Sequence, residues 1–591
     1  MLMKKKLAIV LTTLIVATSL FGASYHSVPL NHRAYFIIDA AEQRGLIDRQ
    51  MDVRPYSVEQ VLSLFSEIEK GRVSAEERKE IDAVREELAM AYGAKKSTAT
   101  GTVLRNGFFR TSGDDGANTF AIGVSLTARG TFGASTADTF AYDVRTAATA
   151  YLRGNLWDVF SFDMNMSGGL EKLDPSVFLF NDFRFDDDGF SFLSADIPSS
   201  QFQAALYARP ELSMGLFENK LRIRFGTIQR DWGPGVNNLS LSASAQTFPA
   251  IEAQVDITNW LRFSVLTGSL EKFLFSSDYD GRPWPSNYRT TDKSDYKYDN
   301  NFSIQRVEWS PTKDLTLSIF ESVVWKKRFE LAYLNPVGIY MFDQNALGDL
   351  DNVLAGFDAS YRWKGVGTLY AAAVADEFDS ASLKKLLTYT RNIIGLQGGM
   401  ILSVPWGDFS TFMVQATYLS PFLYSHYATD DNPWNAMVNT SYVNKGFNLG
   451  YPMDPDSLEL LMRYETGFGN GWTGQVTVKH QMRSAQYATN TEYGTTVLTV
   501  IDYDNNDGYA PKQFFSYIWS HVLDVELTLA KRLSAFPVEF TGGLRFEADW
   551  TREYTVTTVE SASLNYGKTV MGSWNSPTFG VYGTFGVKVF Y

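Results

Sequence analysis

The sequence contains no cysteine among its 591 residues. Disulfides, lipoprotein processing and a thiol nucleophile are therefore excluded. Beyond residue 23 there is also no run of about 18 apolar residues, so no transmembrane helix is predicted. The mean hydropathy is only −0.16, although aromatic residues make up 15% of the chain. An aromatic-rich chain of such mild hydropathy is typical of a transmembrane β-barrel.

The sequence lacks the residue patterns that are typical of catalytic sites. The five histidines form no His-x-Glu or His-Glu-x-x-His grouping, and no Gly-x-Ser-x-Gly elbow is present. Asp376 and Glu377 are adjacent, but neighbouring residues of a strand point to opposite faces and cannot act as a glycosidase pair. Two acidic stretches, 186–189 and 502–507, resemble fragments of calcium loops without completing the pattern, and solvated loops explain both. We therefore predict no enzymatic activity, no cofactor and no metal site.

Basic residues are outnumbered: 53 Lys and Arg stand against 66 Asp and Glu, which gives a formal net charge of −13. An acidic balance argues against nucleic acid as a partner. It does not exclude a glycan, because the local charge inside a lumen can oppose the total.

The N-terminus has the pattern of an export signal. Three lysines at 4–6 precede an apolar run over 7–16, and small residues follow at 22–24. This pattern predicts a signal peptide over residues 1–23, with the exact cleavage site left open by Phe21. An exported chain of this length without disulfides needs another source of rigidity, and a closed β-barrel provides one.

Residues 24–95 have helical periodicity. Apolar residues recur at helical spacing within 28–48, and capping-box patterns at Ser57 with Gln60 and at Ser74 with Glu77 each precede an amphipathic stretch. We predict a small periplasmic bundle of three short helices, acting as a plug or spacer. Residues 96–102 are predicted to be a linker.

From residue 103 onwards the apolar residues recur with a period of two, most clearly over 523–529 and 538–550. The connection between these stretches is short, whereas 276–301 and 425–450 are long and polar. Short turns on one side and long loops on the other are typical of outer-membrane barrels. The fold class predicted for residues 103–591 is therefore an antiparallel all-β transmembrane barrel, and at ~10 residues per strand plus turns and loops its length allows about 16–20 strands. Its location would be the outer membrane of a diderm bacterium, in contact with outer-membrane lipid.

The final stretch is also an alternating strand that ends on an aromatic residue. We predict that one face of it is the signal that the outer-membrane assembly machinery recognises, formed by Phe585, Val587, Val589 and Tyr591.

The stretch 225–249 contains a sharp break between two extended segments. Gly233, Pro234 and Gly235 predict a structural turn, since Gly-Pro-Gly cannot continue a helix and proline cannot donate to a central ladder. Around this turn lie an aromatic ring, a charged pair and two amides, the chemistry that stacks on and hydrogen-bonds to sugars. The predicted polysaccharide-binding residues are Arg230, Asp231, Trp232, Asn237 and Asn238. The alternative is a purely structural turn with Trp232 in the aromatic belt at the membrane interface.

Several stretches resemble the Wzi-like capsule assembly proteins of Gram-negative outer membranes. The matching stretches, in chain order, are 28–65 (VPLNHRAYFIIDAAEQRGLID, then RPYS and a helix), 225–242 (FGTIQRDWGPGVNNLSLS), 329–340 (FELAYLNPVGIY), 351–363 with 369–378, and 450–464 (GYPMDPDSLELLMRY). The resemblance implies a barrel of about eighteen strands with a periplasmic helical bundle. It also implies a role in holding capsular or other surface polysaccharide at the cell surface, by a protein that is a monomer.

Two other functions remain open from the residues alone. A general diffusion porin or solute channel would have the same polar residues facing its lumen. An outer-membrane hydrolase would need a clustered acid–base pair, which the sequence does not provide.

Overall fold

The computed structural model describes most of the chain. The residues it describes are 24–92, 109–112, 118–137, 140–172, 191–197, 200–270, 300–326, 329–348, 351–377, 392–421, 423–424, 440–444, 447–453, 455–484, 517–533, 536–561 and 564–590. The predicted signal peptide, the predicted linker and both acidic stretches lie outside these residues.

Three helices form the N-terminal bundle: α1 (Arg33–Gln43), α2 (Val58–Ile68) and α3 (Ala75–Tyr92). The capping box of α2 is present in both directions, with the Ser57 side chain accepting from the Gln60 backbone and the Gln60 side chain accepting from the Ser57 backbone. The apolar faces of the three helices pack into one core. The predicted helical N-terminal region is therefore confirmed, and a fourth helix, α4 (Tyr340–Leu347), lies between barrel strands. None of the helices in the described residues is long and apolar enough to cross a membrane.

Eighteen antiparallel strands of the described residues close into a barrel, as the fold class predicted. They are β1 (Thr119–Ser135), β2 (Ala141–Leu156), β3 (Phe160–Lys172), β4 (Gln203–Leu216), β5 (Leu221–Ile228), β6 (Phe248–Thr258), β7 (Leu261–Ser269), β8 (Asn300–Thr312), β9 (Leu315–Lys326), β10 (Asn352–Trp363), β11 (Gly367–Glu377), β12 (Ile393–Ser403), β13 (Asp408–Leu419), β14 (Ser457–Gly467), β15 (Trp472–Ser484), β16 (Ile518–Arg532), β17 (Val538–Ser561) and β18 (Thr578–Phe590). Each strand pairs with the next along the chain, and β18 pairs with β1 to close the ring.

Short strands are added to this ring. Phe109–Ser112 pairs with β1, Ser191–Asp196 with β4, and Leu564–Trp574 with the far half of β17. Two further two-stranded sheets join Val53–Arg54 to Asp231–Trp232 and Val443–Asn444 to Phe447–Asn448. The first of these small sheets becomes central to the candidate site.

The two ends of the barrel differ. At one end the strands are joined by turns such as 217–220, 259–260 and 313–314, and at the other by long connections such as 229–247 and 270–299. The helical bundle lies at the short-turn end. Its backbone hydrogen-bonds directly to the turns there, with Arg49 N donating to Lys313 O (3.1 Å) and Gly365 N donating to Gln43 O (3.2 Å).

The outer wall is apolar and the inner wall polar. On β6 and β10 the outward-facing Ile251 and Phe357 are exposed, while their inward-facing neighbours Glu252 and Asp358 are buried. A set of exposed tryptophans follows the short-turn end, as in the aromatic girdle of a membrane barrel: Trp157, Trp260, Trp363, Trp406 and Trp472.

The C-terminal strand β18 completes the wall through its pairing with β17 and β1. Phe585 is exposed on the outer face, which Val587 and Val589 share by strand alternation. Tyr591 lies outside the described residues. Recognition of this strand by the assembly machinery stays a prediction.

Candidate functional site in the barrel lumen

The connection between β5 and β6 folds into the barrel. We call residues 229–247 the inner segment. Its middle reaches strands on the opposite wall: Val236 N donates to Gln415 Oε1 (3.0 Å) and Gln397 Nε2 donates to Asn237 O (3.1 Å). Because β12 and β13 stand across the ring from β5 and β6, these bonds place the inner segment in the lumen.

The inner segment meets the helical bundle inside the lumen. The antiparallel pairs Val53↔Trp232 and Arg54↔Asp231 form what we call the inner sheet. Gly233 N adds a bond to Asp52 O (2.9 Å) beside it. The inner sheet therefore joins a connection that enters from the long-loop end to the link between α1 and α2, which enters from the short-turn end.

The bundle link is also tied to the barrel wall. Asp52 N donates to the buried carboxylate of Glu308 on β8 (2.6 Å). The guanidinium of Arg224 on β5 donates to Pro55 O (3.3 Å). These bonds satisfy polar groups that burial in the lumen would otherwise leave unpaired, at a cost of about 1–3 kcal/mol each.

Trp232 is the centre of the packing. Its side chain is 0% exposed and lies in one core with Val53 from the bundle and Leu239 and Leu241 from its own segment. Trp232 N donates to Leu241 O (2.9 Å) and Ser240 Oγ donates to Trp232 O (2.9 Å). The alternative that Trp232 belongs to the interfacial aromatic belt is wrong, because the connection turns inward and the barrel wall separates the ring from lipid.

Arg230 is almost fully buried. Its Nε donates to Glu252 Oε2 (2.9 Å) and one terminal nitrogen donates to Ile228 O (3.0 Å). The other oxygen of Glu252 accepts from Arg224 (3.0 Å). The guanidinium predicted to bind polysaccharide thus has an internal carboxylate partner in this conformation.

Asp231 and Asn238 shape the turn. Asn238 Nδ2 donates to Asp231 Oδ1 (2.7 Å), and Asn238 Oδ1 accepts from Gly235 N (2.9 Å). Burial raises the pKa of Asp231 to about 6, and the hydrogen bond from Asn238 offsets part of that rise. Gly233 has φ +149°, and a Cβ there would lie 2.5 Å from Asn238 Oδ1, so only glycine fits.

The turn itself is pressed against the opposite wall. A Cβ on Gly235 would lie 2.7 Å from the Oε1 atoms of both Gln397 and Gln415. Asn237 is buried with φ 55°, a conformation that asparagine tolerates better than most residues. The structure therefore brings all five predicted binding residues together around the predicted turn, but four of them are buried and Asp231 is half-buried. Direct polysaccharide contact by them stays a prediction.

A second long connection, which joins β13 to β14, packs on the inner segment through its described residues 423–424, 440–444 and 447–453. Tyr442 Oη donates to Ser240 O (2.6 Å) and Tyr424 Oη donates to Leu239 O (2.8 Å). The two tyrosine rings stack with centroids 5.5 Å apart. Asn444 Nδ2 donates to Gln246 O (2.9 Å). At this level of the lumen, side chains from three parts of the chain thus pack together.

Sequence reasoning missed the partners that hold this site: Val53, Glu252, Gln397, Gln415, Tyr424 and Tyr442. Strand alternation would have turned Gln397 and Gln415 inward, but no local signal identifies which connection fills the lumen. In the described part of the chain, no three His, Asp or Glu side chains are grouped closely enough to hold a metal ion.

No protein-family model matches the sequence, and none of the curated proteins matches it. Among solved structures, the chain is similar to Wzi, an outer-membrane protein involved in group 1 capsule assembly in Escherichia coli and described as a carbohydrate-binding β-barrel. The TM-score is 0.54 with 11% identity, over 96% of this chain and 100% of that one. Lower scores are found for Acinetobacter baumannii OccAB2 (0.40, 10% identity, 79% and 97% covered) and Pseudomonas aeruginosa OprD (0.37, 10%, 85% and 100%). The chain therefore has the outer-membrane β-barrel fold that is seen in Wzi.

Proposed function

We propose that this protein is a non-enzymatic outer-membrane barrel that binds or anchors surface or capsular polysaccharide at the cell surface. The observation that carries the proposal is the inner sheet, which joins segments from the two ends of the barrel inside the lumen. A diffusion channel needs a continuous water path, whereas an anchor needs only a rigid platform at the outer end. The long-loop end would face the outside and the helical bundle the periplasm.

The likeness to Wzi supports the same function. It extends over nearly the whole chain, and the carbohydrate binding described for that protein is carried over here as part of our proposal. The remaining partners we propose are outer-membrane lipid around the wall and the assembly machinery at β18, for a monomeric barrel.

The five residues around the turn would act mainly as positioning residues. Trp232 and Arg230 are enclosed by the bundle, the wall and the second long connection. A sugar arriving from the long-loop end would first meet the surface that covers the inner segment. Loosening the inner sheet would then weaken polysaccharide binding through the disordering of that surface.

The proposal is tested with the purified full-length barrel and the surface polysaccharide of the producing organism. We expect the wild-type protein to retain the polysaccharide, the Trp232→Ala variant to retain less, and the Trp406→Ala variant to match wild type. Trp406 is 68% exposed in the girdle at the opposite end, so it controls for the loss of a tryptophan. Absence of retention by the wild-type protein would overturn the proposal.

The competing function is a diffusion porin, favoured by the charged residues of the lumen such as Arg306 and Glu308 on β8. Single-channel recording in a planar bilayer separates the two. We expect no steady open current from the wild-type protein, because the inner segment and the bundle are joined. A stable conductance that rises with salt concentration would contradict the anchoring function and support the porin function.

A further inference from the structure

The connection between β9 and β10 folds over the outside of the barrel. We call residues 329–347 the outer segment. Ser303 Oγ donates to Tyr333 O (3.0 Å) and Gln305 Nε2 donates to Gly338 O (2.7 Å). Ser303 and Gln305 alternate on β8 with Ile304 and Arg306, whose side chains lie in the lumen. By strand alternation, the outer segment contacts the outward face of the wall.

Two tyrosines attach the outer segment to this face. Tyr333 and Tyr340 are fully buried and pack with Val323, Trp325 and Val353 of the wall. The ring of Tyr333 lies 5.1 Å from that of Trp325 and 5.9 Å from that of Tyr340, measured between centroids. The attachment is therefore a small apolar core of its own, separate from the core of the lumen.

The outer segment also satisfies a carboxylate on the outer wall. Glu321 lies on the face of β9 that carries the exposed Ile319. Its oxygens accept from Tyr340 N (2.9 Å), Met341 N (2.6 Å) and Gln305 Nε2 (3.2 Å). A carboxylate facing hydrocarbon is costly unless it is hydrogen-bonded, and the N-terminal end of α4 supplies both backbone donors and a favourable dipole.

The side of the outer segment that faces away from the barrel is strongly apolar. Its most exposed apolar side chains are Phe329, Leu331, Val337, Ile339, Met341 and Phe342. Val337 is 82% exposed and Phe342 is 65% exposed. An apolar surface of this kind in water would be an aggregation hazard. Here it continues the exposed apolar wall around Ile319 and Phe357.

We propose that the outer segment is embedded in the membrane and that its ligand is the acyl chains of the outer leaflet. The outer segment follows β9 and precedes β10 at the long-loop end, which places it in the leaflet nearest the cell exterior. There it shields Glu321 and Gln305 from hydrocarbon and widens the apolar belt on one side of the barrel. This inference rests on the proposed outer-membrane location with the long-loop end outside, and it is independent of polysaccharide binding.

Because the chain has no cysteine, single nitroxide labels test the proposal cleanly. Labels are placed by Val337→Cys and Phe342→Cys in the full-length protein, reconstituted in vesicles of phosphatidylethanolamine and phosphatidylglycerol. Phe357→Cys on the outer wall is the lipid reference, and Lys79→Cys, on the exposed face of α3, is the water reference. For each label, the measurement compares how strongly two reagents enhance the relaxation of the nitroxide. Oxygen concentrates among the acyl chains, whereas a nickel complex stays in water.

We expect the labels at 337 and 342 to respond as the label at 357 does, with strong oxygen relaxation and weak nickel relaxation. A response like that of the label at 79 would overturn the proposal and leave the outer segment in water. Protection from both reagents, with spectral broadening that grows with protein density, would also overturn it. In that case a second copy of the chain would cover the segment.

Discussion

Truncation of Trp232 to alanine should open the inner sheet. The side chain is 0% exposed in a packed core, and truncating a buried aromatic residue costs about 3–5 kcal/mol. If the truncation destabilises the closed state of the inner segment by this free energy, the fraction of molecules with the segment open rises by a factor of about a hundred to several thousand. The indole Nε1 has no hydrogen-bond partner among the described residues, so Trp232→Phe removes only volume and should have a much smaller effect.

A single thiol reports this opening. Ala245 lies in the same core and is 7% exposed, so a cysteine introduced by Ala245→Cys reacts with a maleimide only when the inner segment opens. The labelling rate should rise by at least about a hundredfold when Trp232→Ala is added. Trp406→Ala, added instead, should leave the rate unchanged. Equal rates in the two backgrounds would refute the claim that Trp232 holds the inner segment in place.

Three further predictions use the same chain. Asn238→Ala removes the bonds to Asp231 and Gly235 N and, at about 1–3 kcal/mol, should speed the labelling of Ala245→Cys about ten- to a hundredfold. Burial raises the pKa of Asp231 to about 6, so the closed state holds a proton that the open state releases at its ordinary, lower pKa. The inner sheet should therefore be most stable below pH about 4 and should lose stability as the pH rises through about 6. Asp231→Asn should abolish this dependence in labelling rates normalised to an exposed cysteine at position 79. Arg532 on β16 donates to Glu87 of α3, so Arg532→Ala should make trypsin cleave the bundle about tenfold faster, whereas Lys79→Ala at an exposed site should not.

The barrel was predictable because its information is local and periodic. The alternation over 523–529 and 538–550 determines which side chains of β16 and β17 share a face. The observed register pairs apolar residues with apolar residues, as in Val525↔Phe546 and Leu527↔Leu544. The start of α2 was predictable for a similar reason, since a capping box is contained within four residues.

The environment of the candidate site was not predictable in the same way. The local sequence around Trp232 is compatible both with a connection that turns inward and with one at the membrane interface. The inward path depends on contacts of the inner segment with Val53, Gln397 and Gln415. Each of these partners is more than 150 residues away in sequence. The turn was recognisable from Gly-Pro-Gly, but its burial depends on pairing that no local pattern encodes. The outer segment raises the same difficulty, because apolar residues at helical spacing do not reveal whether lipid or protein covers them.

The central claim is that this barrel holds surface polysaccharide, and its most direct test is polysaccharide retention by whole cells. A deletion strain is complemented with the wild-type gene or with the Trp232→Ala, Arg230→Ala double variant, and cell-bound and released polysaccharide are measured. We expect the deletion strain to shed polysaccharide into the medium, the wild-type gene to restore retention, and the double variant to restore it only partly at equal barrel abundance. If the deletion strain keeps its polysaccharide and instead loses uptake of small solutes, the account is contradicted and the protein is a channel.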